Sequence, residues 1–280
     1  MFKIALVLLF LLPIESLWAT DGSDLLRLHL LDVGEGSASI VHFPDGKSLL
    51  IDSGNLVSGT TVLNYITKIP IDYLDRVIFT HPHLDHIGGA FSILQQVSYK
   101  RVHDNGEPLV SQYAINDAYR WYSELVRADK RFRVIRKGER FVYGDAYLDV
   151  LWPPRVLTST DWNTNSIVLR LHYGDFSVLF MGDGNINTEK QLIESGVELK
   201  SNVLVAGHHG AEDTVSDLFL SKVSPELTFI SVNSDNYRNY PSPVTLSKYR
   251  AHRSTTLLSY QSGNVEILSS KSGSFVSKIQ

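Results

Sequence analysis

An α/β domain is the fold class that this sequence predicts, on three observations. The N-terminal part alternates short apolar runs with tight turn signals, the spacing of an antiparallel meander. Further along, strand-like runs interleave with segments of helical character. After the first apolar run, about 260 residues follow, enough for one large domain with a sizeable core or two small ones, and the lack of a linker-like tract, a low-complexity segment or an internal repeat makes one domain the economical answer.

Residues 1–19 read as a targeting segment. Lys3 precedes an unbroken apolar run over 4–12, Pro13 ends it, and Leu17-Trp18-Ala19 forms a cleavage site before polar Thr20-Asp21-Gly22. A membrane-spanning helix needs about 20 apolar residues, so a secretory signal peptide is expected, with an uncleaved anchor as the alternative. The expected domain is then 20–280, secreted or periplasmic, with no stable membrane span after processing. The chain has no cysteine, which excludes lipoprotein acylation, a disulfide staple and any thiolate metal site. Its formal net charge of −4 argues against a protein that coats nucleic acid through bulk charge.

Strands are expected over 26–33, 38–43 and 48–51, separated by Gly34-Glu35-Gly36 and by the turn Pro44-Asp45-Gly46-Lys47. Asp32 and Asp52 each end a strand shortly before a glycine. A helix over 63–68 and a strand over 73–80 follow, and a helix over 89–97 is expected to present its N-terminus to the site between them, where it would favour a bound anion. Residues 110–129 read as a helix and 132–136 as a strand. Between 127 and 140, Arg127, Lys130, Arg131, Arg133, Arg136, Lys137 and Arg140 are opposed only by Asp129 and Glu139. A solvated helix end and a charged edge strand account for that run; the sharper reading is a polyanion-binding strip with Tyr113, Tyr119, Trp121 and Tyr122 available to stack bases.

The second half begins with a strand over 143–151 and a bend at Pro153-Pro154. The segment 161–166 then leads into a hairpin of strands 167–171 and 176–180 around Gly174-Asp175, presenting Asp183 at its open end. A helix over 187–195, a strand over 202–206, the pair His208-His209 and strands over 256–260 and 265–268 complete the chain, the last two closing the second sheet.

The chemistry is concentrated in Thr80-His81-Pro82-His83-Leu84-Asp85-His86-Ile87-Gly88-Gly89. His81 and His83, two apart on an extended segment, point the same way and can grip one cation. Asp85 and His86 follow one turn later and can serve a second. Imidazole nitrogen with carboxylate oxygen suits zinc, and also manganese or iron. Asp183 has two oxygens that can hold two cations a few ångströms apart.

His81-Pro82-His83-Leu84-Asp85-His86-Ile87-Gly88-Gly89 resembles the signature of the metallo-β-lactamase superfamily. The resemblance implies a four-layered αββα sandwich of two mixed sheets with a dinuclear centre of divalent ions, zinc in the first place and manganese as the alternative. Leu31-Asp32-Val33-Gly34-Glu35-Gly36 and Leu50-Ile51-Asp52-Ser53-Gly54 resemble the branch found in ComEC-type competence proteins and secreted phosphorylcholine esterases, from which Glu35 and Ser37 depart. Asn165-Ser166, Gly182-Asp183 and Gly207-His208-His209-Gly210 resemble further family elements, with Ala211 in place of the family serine and Tyr240 where the pattern of loop 236–241 has histidine. Carried onto this chain, the resemblance implies His81, His83 and Asp183 around one ion, and Asp85, His86 and Asp183 with a histidine of the 208–209 pair around the other. His208 is expected as that ligand and His209 as the catalytic partner. Asp85 would also orient the nucleophilic water, its pKa lowered to about 7 on the metals, and Asp52 would orient the histidine loop. Family members in other branches have a further histidine before the hairpin. This chain has none there, His172 lying within a strand, so Asn163 or Asn165 is expected near the vacancy, and Tyr240 beside the substrate.

The function so implied is that of an exported dinuclear metal-dependent hydrolase, a phosphodiesterase or nuclease, with single-stranded DNA as the leading substrate. The alternatives are a β-lactam or ester hydrolase using the same water, and a non-catalytic module that binds DNA or cell-wall phosphodiesters.

Overall fold

The computed structural model of the chain describes residues 24–108, 117–235 and 237–280. The targeting segment, Tyr113 and the first part of the helix expected over 110–129 lie outside the described residues. Strands β1 Leu26–Leu30, β2 Ser39–His42, β3 Ser48–Ile51, β4 Leu74–Ile78, β5 Tyr99–Asp104 and β6 Phe132–Val134 build the first sheet, joined by β14 Val265–Ser269 and β15 Phe275–Ile279, in the order β15-β14-β1-β2-β3-β4-β5-β6. The second sheet runs β13-β12-β11-β10-β9-β8-β7, from β7 Arg140–Tyr143, β8 Ala146–Trp152, β9 Val168–Tyr173, β10 Phe176–Phe180, β11 Val203–Val205, β12 Leu227–Ile230 and β13 Thr255–Leu258. Both sheets mix parallel and antiparallel neighbours: β3, β4 and β5 pair in parallel in the first, and β10 to β13 in the second.

Strand periodicity creates the layers. Leu49 and Ile51 of β3 face a central core that also holds Phe176, Val178 and Phe180 of β10, whereas Leu50 and Leu179 face outward. Leu50 packs in the core beneath α1 Ser58–Ile66, α3 Ala90–Gln96 and α4 Asp117–Arg127, which contribute Val62, Ile93 and Tyr122. Leu179 packs beneath α5 Ile186–Glu194, α6 Asp217–Val223 and α7 Pro243–Ala251, through Leu192, Phe219 and Tyr249. The result is the αββα sandwich implied by the resemblance. Among the described residues no helix is long and apolar enough to cross a membrane.

Several expectations need correction. Strand β14 does not close the second sheet: it pairs antiparallel with β1, and Val265 and Ile267 enter the central core from the first sheet. The strand expected from 143 begins instead at Ala146, behind a hairpin at Gly144 (φ +59°) that β7 enters. The helix expected over 63–68 is α1, which starts earlier, at Ser58. The start of α3 is pressed into the protein: a Cβ at Gly88 would lie 2.4 Å from the Leu56 nitrogen, and one at Gly89 2.3 Å from the Ser53 carbonyl oxygen. The helical turn that opens at the metal loop is α2 Leu84–Ile87, with His83 as its N-cap residue.

Candidate metal centre

Three strands of two sheets deliver the site side chains from their C-terminal ends. β4 runs out through Thr80 and His81 to His83, whose backbone is still extended (φ −71°, ψ 144°), before α2 turns Asp85 and His86 inward. β10 delivers Asp183 through Gly182, where φ is +54° and a Cβ would come 3.0 Å from that of Thr80. β11 delivers the turn Gly207–Gly210, in which His208 and His209 are both left-handed. A Cβ at Gly207 would lie 2.3 Å from the Gly184 carbonyl oxygen, so only glycine lets this turn cross so close behind Asp183.

Asp183 straddles the centre. Its Oδ2 is 3.4 Å from His81 Nε2, and His81 Nε2 is 2.9 Å from His83 Nδ1. Its Oδ1 is 3.0 Å from His86 Nε2 and 3.5 Å from His209 Nε2, and His209 Nε2 is 3.3 Å from Asp85 Oδ2. Two ligand groups result, His81 with His83 and Asp183, and Asp85 with His86 and His209, the ligand atoms within each lying within 4.8 Å of one another. Asp183 Oδ1, His86 Nε2 and His209 Nε2 are buried and have no hydrogen-bond partner. Buried polar atoms carry a desolvation cost when unpaired; atoms of this kind converging on one point fit a cation. Nitrogen and carboxylate donors without sulfur fit zinc or manganese chemistry.

Supporting bonds orient the rings. His86 Nδ1 donates to Asp52 Oδ2 at 2.8 Å, and Asp52 also accepts from the Thr80 amide and hydroxyl, each at 2.8 Å. His209 Nδ1 donates to the Ser231 carbonyl at 2.8 Å. In both rings the second nitrogen is thereby left to face the centre, as a ligand requires. Asp52 performs the orienting role expected of it from a left-handed backbone (φ +58°). Asp32, by contrast, accepts from the Gly34 amide and caps a turn.

Charge divides the centre. Burial pushes His81 down to about 3 and also lowers His83, which favours the neutral rings that ligation needs. At His86 burial acts the same way, but Asp183 and Asp52 outweigh it and raise the ring's pKa; Asp183 and Asp85 do the same for His209. Burial alone would lift Asp183 and Asp85, yet the neighbouring imidazoles hold both below the usual carboxylate range. A cation bound here would need those ring nitrogens free of protons, so proton and metal compete for them.

The histidine pair is placed opposite to expectation. His209, not His208, joins Asp85 and His86. Two consecutive left-handed residues turn the rings apart, 6.3 Å between centroids, and the Ser231 bond fixes His209 inward. His208 turns to Asp213, with Nδ1 3.3 Å from Oδ1, and to Asn163, with Nε2 3.3 Å from Nδ2. Tyr240 meets His208 edge-on at 5.4 Å between centroids, so Asn163, His208 and Tyr240 form a tier beside the ligands. Asn165 is drawn away into structural bonds with Glu107 and the Ser159 carbonyl. His172 is packed on Tyr147, as its place within a strand suggested. Asp213 and Trp162, whose ring lies 5.3 Å from that of His83, were not singled out from the sequence, and Thr80, which opens the motif stretch, was given no role there.

An αββα sandwich with a buried His/Asp cluster at the strand ends of both sheets defines the metallo-hydrolase class. The metallo-beta-lactamase superfamily profile matches residues 31–232, and the chain belongs to that superfamily. ComE operon protein 3 of Bacillus subtilis is 23% identical over 284 aligned residues, which cover 94% of this chain and 35% of that protein. Recombination protein 2 of Haemophilus influenzae is 27% identical over 266 residues, 93% of this chain and 30% of that protein. The chain thus spans about a third of the length of these curated relatives. Igni18, a metallo hydrolase of the archaeon Ignicoccus hospitalis, shares the fold with a TM-score of 0.56 at 17% identity, over 90% of this chain and 98% of that one.

Proposed function

We propose that the protein is an exported, metal-dependent phosphodiesterase whose substrate is single-stranded DNA or a chemically similar phosphodiester. The observation that carries the reading is Asp183, whose two oxygens face two different histidine sets while buried ligand atoms around it lack partners. His81, His83 and Asp183 would hold one divalent ion, and Asp85, His86, His209 and Asp183 the second. Bound ions would polarise a phosphoryl oxygen and lower the pKa of water to about 7. The chain's own residues do the rest. Asp52, Thr80 and the Ser231 carbonyl keep the ligand nitrogens aimed, and Asp85 Oδ2, 3.3 Å from His209 Nε2, would orient a water at the second subsite. His208, held at Nδ1 by Asp213, offers Nε2 beside Asn163 as a polar edge for substrate oxygens. Phosphodiester chemistry is favoured by the relative named Recombination protein 2. Export is supported by the apolar run behind Lys3, and N-terminal sequencing of the mature protein should start at Thr20.

Elemental analysis paired with hydrolysis of bis(p-nitrophenyl) phosphate and labelled single-stranded DNA, across added zinc and manganese, tests the activity. Two equivalents of metal with turnover are expected. His81→Ala and Asp183→Asn should each lower turnover more than about 100-fold, beyond the effect of losing a ligand's supporting partner. Absence of metal, or unchanged turnover in metal-replete variants, would overturn the reading.

A further inference from the structure

Two loops flanking the Asp85 and His209 side of the centre carry opposite charges that ligation does not use. Glu35 lies between β1 and β2, Arg238 lies between β12 and α7, and Arg238 Nη1 reaches Glu35 Oε1 at 2.8 Å. The pair therefore ties a loop of the first sheet to a loop of the second. Each loop is also fastened to a ligand-bearing segment. The Ser37 amide donates to the Asp85 carbonyl at 3.2 Å, and a Cβ at Gly36 would lie only 2.0 Å from that oxygen. On the other side, the Ser242 amide donates to the Gly210 carbonyl at 2.9 Å, and a Cβ at Gly210 would come within 2.7 Å of the Pro241 ring. Since Asp85 and His209 are themselves in contact, the ion pair spans the rim beside them.

Arg238 is braced for a partner. Its Nε donates to the Tyr237 hydroxyl at 3.1 Å, and its guanidinium carbon sits 5.2 Å from the centroid of that ring. Burial works against its charge, but Tyr237, Glu35 and Asp85 outweigh burial and raise its pKa. Both side chains of the ion pair remain about one-third exposed, 36% for Arg238 and 35% for Glu35. Such a pair contributes little to folding and opens easily. A guanidinium presents five donors in a fork that matches phosphate as well as carboxylate, and Glu35 engages it through one nitrogen.

We propose that Arg238 is the anion-binding residue of this site and that Glu35 is an internal stand-in for the substrate's anionic group, displaced when a phosphodiester arrives. The assignment rests on the phosphodiesterase reading and adds substrate selectivity to it. An anionic ligand exchanges places with Glu35 and gains Arg238; a neutral ester has nothing to exchange and gains nothing. Tyr237, 78% exposed beside the guanidinium, holds that guanidinium at the rim.

The test titrates a labelled short oligothymidylate, and separately inorganic phosphate, into the metal-replete mature chain and into Arg238→Ala, Arg238→Lys, Glu35→Gln and the Glu35→Gln/Arg238→Ala double variant. Melting temperatures confirm that each variant folds. Arg238→Ala should raise the oligothymidylate Kd about tenfold, and Arg238→Lys should do so less. Glu35→Gln should lower Kd several-fold, and the double variant should behave as Arg238→Ala alone, since Glu35 acts through Arg238. Unchanged Kd in a folded Arg238→Ala protein overturns the assignment, as does tighter binding from Glu35→Gln in the absence of Arg238. Arg238-dependent binding without any cleavage keeps the clamp and removes the phosphodiesterase reading. Cleavage of bis(p-nitrophenyl) phosphate with an unchanged KM in Arg238→Ala keeps that reading and removes the clamp.

Discussion

The metal loop and the basic run from Arg127 to Arg140 are two dense clusters of ionisable side chains in the sequence, yet the fold uses them in opposite ways. In the loop, His81 and His86 are buried, and nitrogen and oxygen atoms around Asp183 face one another with no hydrogen-bond partner. In the basic run three of the seven cations are matched with side chains or aromatic rings nearby. Arg131 pairs with Asp129 at 2.7 Å and lies 3.7 Å over the Tyr99 ring; Arg140 forms a two-pronged pair with Asp149; Arg127 donates to the Tyr119 hydroxyl and the Glu107 carbonyl. Tyr119 and Tyr122 are core residues of α4, which removes them as base-stacking candidates. Several buried partnerless atoms converging on one point mark the functional region better than charge density does, since single ones also occur at Arg76, His103 and Tyr249.

The largest test of this contrast lies inside the centre, at the two adjacent histidines. His209→Ala removes an inward-facing nitrogen, and should halve the bound metal and lower hydrolysis on the order of 100-fold or more. His208→Ala leaves both ligand groups intact and should keep the full metal content, with a smaller loss confined to turnover. Elemental analysis of the two variants side by side decides the matter: equal metal loss would mean that partnerless geometry is no guide to ligation here.

That distinction was beyond the sequence for a definite reason. His208 and His209 are adjacent, and their order of use depends on two positive φ values and on the Ser231 carbonyl, which lies just past the end of β12. The motif from His81 to His86, in contrast, follows a strand on one continuous segment, so residue spacing carried its geometry. The same division holds for the fold. Strands β1 to β4 were legible because alternation and turn residues are local signals, whereas the partner of β14 was not: Val265 and Ile267 alternate equally well for either sheet, and only the chain's crossing back to β1 decides. Helix α7 buries only Thr245 and Tyr249, leaving a weak apolar stripe, although Ser242 before Pro243 was an available start signal. The Glu35 and Arg238 pair joins loops from opposite ends of the chain and left no local trace.

Glu189 sharpens the contrast, because it is as buried as the ligands but is fully partnered. Its carboxylate accepts from the Val215 and Ser216 amides at 2.7 and 2.8 Å, with Lys248 and Tyr249 of α7 as its charged and titratable neighbours. Burial raises its pKa from 4.5 to about 7 against the pull of those amides and Lys248. The folded state therefore keeps a proton that the unfolded chain releases near 4.5, and between those values it binds more protons than the unfolded state. Stability from this group is fully present below the lower value and is lost as pH rises to the upper one, by roughly 3 kcal/mol. Glu189→Gln should flatten that loss in melting temperature measured against pH while leaving hydrolysis intact. Parallel pH profiles for the two proteins would show that the amides, rather than burial, control the group.

The smallest expected effects belong to the basic run, and they decide whether it is structure or surface. Arg131→Ala loses the Asp129 pair and the Tyr99 stacking, and should lower stability by about 1 kcal/mol with no change in oligonucleotide affinity. Among the described residues Arg133 donates to the carbonyls of Lys130 and Phe132 from an exposed position, so Arg133→Ala should alter neither quantity measurably. A strip that binds phosphates would behave otherwise. Each phosphate contact removed would weaken oligonucleotide binding and reduce the slope of affinity against salt by about one counterion. Titrations of both variants at several salt concentrations separate the cases: parallel slopes leave the run as a set of internal ion pairs and solvated ends, while a shallower slope for Arg133→Ala would make the exposed cations part of the substrate path and join the two regions in one function.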